Sequence, residues 1–208
     1  MAKKEKDKMP DDFDMLKAIR AEKIYKSNIG RRDKSARTYL NENCIDAGKN
    51  IVNKVFLGQM IMFDYMTPKT REELEYYDAM PCTIFLGVRK TEEGPRVVGF
   101  NIHYYPPKMR YQIVNQLFTL FKDSYKNAWE VPLKEDIQGF NYEDFLKVLK
   151  KTKLEFGIRM YIPNLMRNMK IVPFKNWSKA VFTEGMIKKA TRMAIMGYWR
   201  QLKEKNYF

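Results

Sequence analysis

Thr83-Ile-Phe-Leu-Gly-Val-Arg89, Lys90-Thr-Glu-Glu-Gly-Pro95 and Arg96-Val-Val-Gly-Phe-Asn-Ile-His-Tyr104 follow one another without a break. Two apolar stretches rich in β-branched and aromatic residues flank a short polar piece that holds a Gly-Pro step. That is the pattern of a hairpin, so the sheet is antiparallel. Upstream, Lys54-Val-Phe-Leu-Gly-Gln-Met-Ile-Met-Phe-Asp-Tyr-Met66 reads as another strand, stopped by Thr67-Pro68. Downstream, Pro106-Pro107 ends the sheet run, and Pro107 suits the first turn of a helix, where its missing N–H is not needed. That helix is expected to reach about Tyr125, with Ile113, Leu117, Leu120 and Phe121 on its buried side.

The remainder alternates. Asn141 to Lys153 is expected to be helical, with Tyr142, Phe145, Leu146 and Leu149 apolar and Lys147, Lys150 and Lys151 on another face. Gly157 to Ile162 and Met169 to Pro173 read as short strands around a proline bend. Thr183 can cap a last helix over 184–204, with Glu184 beside its positive end. At the other terminus, residues 1–12 read as an arm. Phe13, Leu16, Ile19 and Ile24 suggest an amphipathic helix over 12–25, and 26–37 reads as a basic linker or an anion-contacting loop. The reading is thus an α+β chain: a small antiparallel sheet or partial barrel flanked by helices, with an amphipathic N-terminal arm and a basic C-terminal helix. Residues 1–50 form the arm, short helix and linker, and 51–208 the core.

Charge separates these parts. Of 208 residues, 39 are Lys or Arg and 25 Asp or Glu, a net charge of +14. Residues 1–50 hold 13 basic and 9 acidic groups, 51–140 hold 11 of each, and 141–208 hold 15 and 5. An excess concentrated in the C-terminal third, +10 of the +14, points to a polyanion partner. No run approaches a membrane span and no signal-peptide pattern opens the chain. The two cysteines, Cys44 and Cys82, suit reduced thiols, and a lone histidine, His103, excludes sites that need two.

Catalytic patterns are weak. Glu72, Glu73, Glu75 and Asp78, with Lys69, can hold a divalent ion only if the fold converges them, and His103 can act as a base only beside a group such as Asp78. There is no phosphate-binding glycine loop. The reading is therefore of a non-enzymatic chain without cofactor or metal. The basic groups say more. On a helical wheel, Lys188, Lys189, Arg192, Arg200 and Lys203 share a sector with Trp199 and Met196, opposite Met186, Ala190, Met193, Ala194 and Gly197. Lys147, Lys150, Lys151, Lys153, Arg159, Arg167, Lys170, Lys175 and Lys179 extend the positive surface. Such a face suits duplex DNA backbone, either with an exposed indole stacking beside the phosphates or with that tryptophan packed on the protein.

One block carries a family resemblance. Pro68-Lys69, Leu74-Glu75-Tyr76-Tyr77-Asp78, Pro81, the run Gly99-Phe100-Asn101-Ile102-His103-Tyr104-Tyr105-Pro106-Pro107, and Arg110 resemble the DNA-end protector (head-completion) proteins of tailed bacteriophages. Arg159-Met-Tyr161, Ile171-Val-Pro173 and Trp177 match later positions of that pattern. Glu75 stands where it prefers proline and Tyr105 where it prefers leucine. The resemblance implies a virion protein that binds the packaged genome's terminus, shields it from host exonuclease after injection and helps ready the filled head for tail joining. It places the protein in the virion, and in host cytoplasm during assembly and after injection. It also implies other virion proteins near the portal or neck as partners; the amphipathic segment 13–25, for which that pattern offers no counterpart, reads by itself as a docking element for them. The motif residues themselves look like fold determinants. Trp177, Tyr198 and Trp199 are the aromatic candidates for stacking on a terminal base pair. A purely structural neck, portal-associated or capsid-cargo protein is the alternative.

Overall fold

The computed structural model describes residues 14–18, 20, 36–47, 55–66, 77–127, 129, 142–151, 153–183, 185–187 and 189–205. Its strands are β1 (Ile45–Asp46), β2 (Met60–Tyr65), β3 (Cys82–Thr91), β4 (Gly94–Asn101), β5 (Ile158–Tyr161) and β6 (Met166–Ile171). Its helices are α1 (Ala36–Asn43), α2 (Pro107–Leu120), α3 (Lys122–Asn127), α4 (Tyr142–Lys151), α5 (Trp177–Ala180) and α6 (Lys189–Glu204). The strands form one open antiparallel sheet in the order β1-β6-β2-β3-β4-β5.

The hairpin sits at the middle of this sheet. Thr83 pairs with Asn101, Ile84 with Phe100 and Phe85 with Gly99. A bulge then shifts the register to Gly87 opposite Val98, where Gly87 takes φ 119°. Side chains alternate across the pleat. Met60, Met62, Cys82, Ile84 and Phe100 face a large core shared with the helices, and Ile61, Phe63, Tyr65, Phe85, Val97 and Tyr161 face a smaller one. Both faces of the sheet are therefore buried, which is why β2 and the first half of β3 read as near-continuous apolar runs.

An aromatic block anchors the large core. Trp177 is 1% exposed, its centroid lies 4.7 Å from Tyr125 and 5.1 Å from Phe174, and its indole N–H donates to the Val172 carbonyl at 3.1 Å. Truncating such a buried tryptophan typically costs about 3–5 kcal/mol. Met15, Leu40 and Ala47 bring the first fifty residues into these cores. Asp14 starts the helical turn at 15–18 by accepting from the Leu16 N–H at 2.8 Å. Phe13, Ile19 and Ile24 of the expected arm helix lie outside the described residues.

Several local expectations are corrected. The strand expected from Lys54 is β2 and begins at Met60, because Gly58 at φ 82° turns the chain first. The strand expected to reach Tyr104 is β4, which ends at Asn101 and passes into a 3₁₀ turn, Ile102–Tyr104. Leu120 is 70% exposed, since α2 stops there and Phe121 leaves helical geometry. The basic linker ends in α1, a helix whose polar sequence hid it. Thr183 does not cap the last helix, which begins at Lys189. Cys44 and Cys82 are free thiols, and burial pushes the Cys44 thiol up to about 12 despite nearby Lys170.

Candidate nucleic-acid interface

Where β4 ends, a polar knot closes inside the protein. Asn101 is fully buried. Its side-chain oxygen accepts from the His103 N–H at 2.9 Å, and its amide donates to Asp78 Oδ2 at 3.1 Å. His103 Nδ1 lies 2.7 Å from the same Asp78 oxygen, and Nε2 lies 2.9 Å from Thr183 Oγ1. The Thr183 hydroxyl donates to the Ala180 carbonyl at 2.7 Å. With that proton so placed, both ring nitrogens are donors, and the network assigns an imidazolium against a carboxylate. Burial alone would raise the Asp78 carboxyl. The charge and hydrogen bond of His103, the Met80 N–H and the Asn101 amide outweigh it and hold the group below its ordinary value.

Arg110 closes the other side. It springs from the first turn of α2, and its guanidinium donates to the carbonyls of Tyr105 (2.6 Å), Thr183 (2.5 Å), Val181 (3.2 Å) and His103 (3.2 Å). Gly185 roofs the knot: a Cβ there would stand 2.7 Å from His103 Nδ1 and 2.9 Å from Asp78 Oδ2. Threonine, histidine and aspartate here share the order of a nucleophilic triad. Thr183 and His103 are 1% and 3% exposed, and the hydroxyl proton is held by a backbone carbonyl. The arrangement is a strut.

What it supports is α6. The Tyr77 N–H donates to the buried Thr191 hydroxyl oxygen at 3.0 Å, the Ala79 N–H to Met186 O at 3.1 Å, and Asp78 bridges to Ile187. Further along, the Trp199 indole N–H donates to Tyr104 O at 3.1 Å, and the ring packs on Tyr105 and Phe156 at 5.4 and 5.6 Å. The Tyr198 hydroxyl donates to the Lys153 carbonyl, tying α6 to the end of α4. Ile195 and Leu202 complete the buried stripe. The family-motif residues therefore pin both ends of the basic helix.

The exposed residues of α6 are Arg192, Met193, Met196, Arg200, Gln201, Lys203 and Glu204. At 100° per residue the three cations and Met196 span a sector about 80° wide. The exposed side chains of Lys147 and Lys150 are on α4, and that of Lys153 lies just past its end, where the Lys153 carbonyl meets Tyr198. Other sequence candidates fall elsewhere. Arg167, though exposed, is on β6, opposite Asp64 of β2, and not on α6. Lys170 donates to Asn41 O, and Arg159 lies 4.8 Å over the Tyr104 ring. Lys151 and Lys189 have their backbone in α4 and α6, and their side chains lie outside the described part. Lys188, Lys69 and Tyr76 lie outside the described residues, as do Glu72, Glu73 and Glu75.

Two expectations about aromatics and the helix face change. Trp177 is in the core, and Trp199 and Tyr198 are half-buried against Phe156, so none offers a free stacking face. Met193, placed on the apolar side by the wheel, is 64% exposed, because Thr191 and Ile195 set the buried stripe nearer Trp199. Of the motif, Tyr77, Asp78, Pro81, Gly99, Asn101, His103, Tyr104, Arg110 and Trp177 are buried, while Pro106 and Pro107 are exposed at the start of α2. Sequence reasoning missed Thr183, Gly185 and Thr191 as parts of the support. Only a glycine directly after Thr-Glu hinted at close packing there.

These features define a class: a basic α+β protein whose motif residues build an interior support for a cationic helix. The profile of the family described as Phage T4 terminal DNA protecting protein matches residues 2–201. The chain belongs to that family, whose kind of function, protecting DNA termini, is non-catalytic. No curated protein and no solved structure matches the chain.

Proposed function

We propose that this chain binds the terminus of the packaged genome through the duplex backbone, using the exposed cations of α6 and of the adjoining end of α4. The observation that carries this is the placement of Arg192, Arg200 and Lys203 together on the solvent face of a helix whose other face is pinned by the family motif. A rigid cationic ridge engages phosphates without a large loss of side-chain freedom elsewhere, and it occupies the place where an exonuclease must seat the end. The same particle-bound protein contributes to head completion beside portal or neck proteins. It resides in the virion and enters host cytoplasm during assembly and with the injected genome.

The test compares linear and covalently closed DNA of equal length across a salt series, with an exonuclease challenge on the linear form. Saturable preference for the linear form, at a few copies per molecule and with the ends resistant, supports the proposal. Equal binding to both forms without protection overturns it in favour of a structural neck or capsid component.

A further inference from the structure

Terminal recognition needs something that duplex interior does not offer. A blunt end exposes one flat apolar surface, the outer face of the last base pair, ringed by phosphates. Among the described aromatics considered for that contact, all are packed within the protein.

The exposed face of α6 provides a different complement. Met193 and Met196 are 64% and 52% exposed and stand one turn apart. Arg192 and Arg200 flank Met196 one turn to either side, and Lys203 follows one turn beyond Arg200. Beside the methionines lies Gly197, in the helix interior. A Cβ built there meets nothing within 4 Å. Glycine at such a position is less stable than alanine, and no neighbour among the described residues requires it. The bare backbone leaves room for close approach of a surface from outside.

We propose that Met193, Met196 and Gly197 form the seat of a blunt duplex terminus. The last base pair lies against the two thioether side chains and the bare helix backbone, while Arg192, Arg200 and Lys203 take the flanking phosphates. Methionine fits this role because its unbranched, polarisable side chain spreads over a flat surface without needing one shape. An acidic protein partner would match the cations and leave the bare glycine unexplained. The inference rests on the reading that α6 faces DNA, and its test separates the two.

The full chain is titrated with a short duplex blunt at one end and looped at the other, and with the same duplex looped at both ends. Met193→Ser with Met196→Ser is expected to weaken blunt-end binding about tenfold or more and leave the doubly looped duplex unchanged. Gly197→Ala is expected to raise the melting temperature, and Gly197→Gln to weaken blunt-end binding selectively. Arg192→Gln, Arg200→Gln and Lys203→Gln combined weaken both duplexes. Methionine variants that bind the blunt end as well as the parent, or that lose both duplexes alike, overturn the seat. If the parent chain does not distinguish the two duplexes and the cation variant binds both unchanged, the assignment of α6 to DNA falls with it.

Discussion

At Asp78 and His103 two opposite charges meet where water does not reach, 2.7 Å apart and each 3% exposed. Removing one partner of such a pair leaves the other uncompensated, so Asp78→Ala is expected to cost about 3–5 kcal/mol by urea denaturation at neutral pH. The folded Asp78 carboxyl titrates below its ordinary value, so its contribution is complete above the unfolded value near about 3.9 and is lost as pH falls through the folded one. The gap between parent and variant therefore narrows on acidification below about pH 4. A gap that widens there refutes the assigned carboxylate. Gly185→Ala sets a methyl against the same two side chains and is expected to cost about 1–3 kcal/mol, read from the same denaturation curves. In the sequence, Asn101, His103 and Tyr104 were legible as fold determinants because they sit at a strand end before a Pro-Pro helix start. Thr183 was not, since its contact with His103 spans 80 residues and no local pattern reports that.

For elements, the hairpin and α2 were readable because their signals are local: alternation, a Gly-Pro turn, proline at the first helical position. The α1 helix was not, as Ala36–Asn43 is polar apart from Tyr39 and Leu40 and owes its place to packing, with Leu40 fully buried in the core. The last helix was recognised as helical, but its start was set too early, and while Arg192, Met196, Arg200 and Lys203 are exposed as read, Trp199 turns inward and Met193 outward. Residues 185–187 run extended beside 77–79, an arrangement made by the tertiary bridge at Asp78. Trp199 then turns inward because Tyr104 offers a carbonyl and Tyr105 and Phe156 offer rings. Trp199→Ala is accordingly expected to lose about 2–3 kcal/mol in chemical denaturation, less than a fully buried tryptophan would. Any loss of DNA binding should fall equally on linear and circular molecules. A loss confined to the linear form would return the indole to the terminus.

On the scale of the whole molecule, charge is shared unevenly among the parts. Strands β2, β3 and β4 come from the electrically balanced middle of the chain, while the +10 excess of residues 141–208 rides on β5, β6 and the helices α4 to α6 with their connections. That division has a measurable consequence. Each phosphate neutralised on duplex DNA contributes about −0.9 to the slope of log K against log salt. If the parent engages about six phosphates, its slope is roughly −5. Replacing Arg192, Arg200 and Lys203 together with glutamine should flatten it by about 2–3 units while leaving the denaturation midpoint nearly unchanged, because these side chains are exposed and outside the knot. Replacing Arg167, which sits on β6 and not on α6, should leave the slope as it was. Equal flattening by Arg167→Gln and by a single α6 substitution would mean that DNA wraps the sheet as well as the helix, and the cationic ridge would no longer be the whole interface.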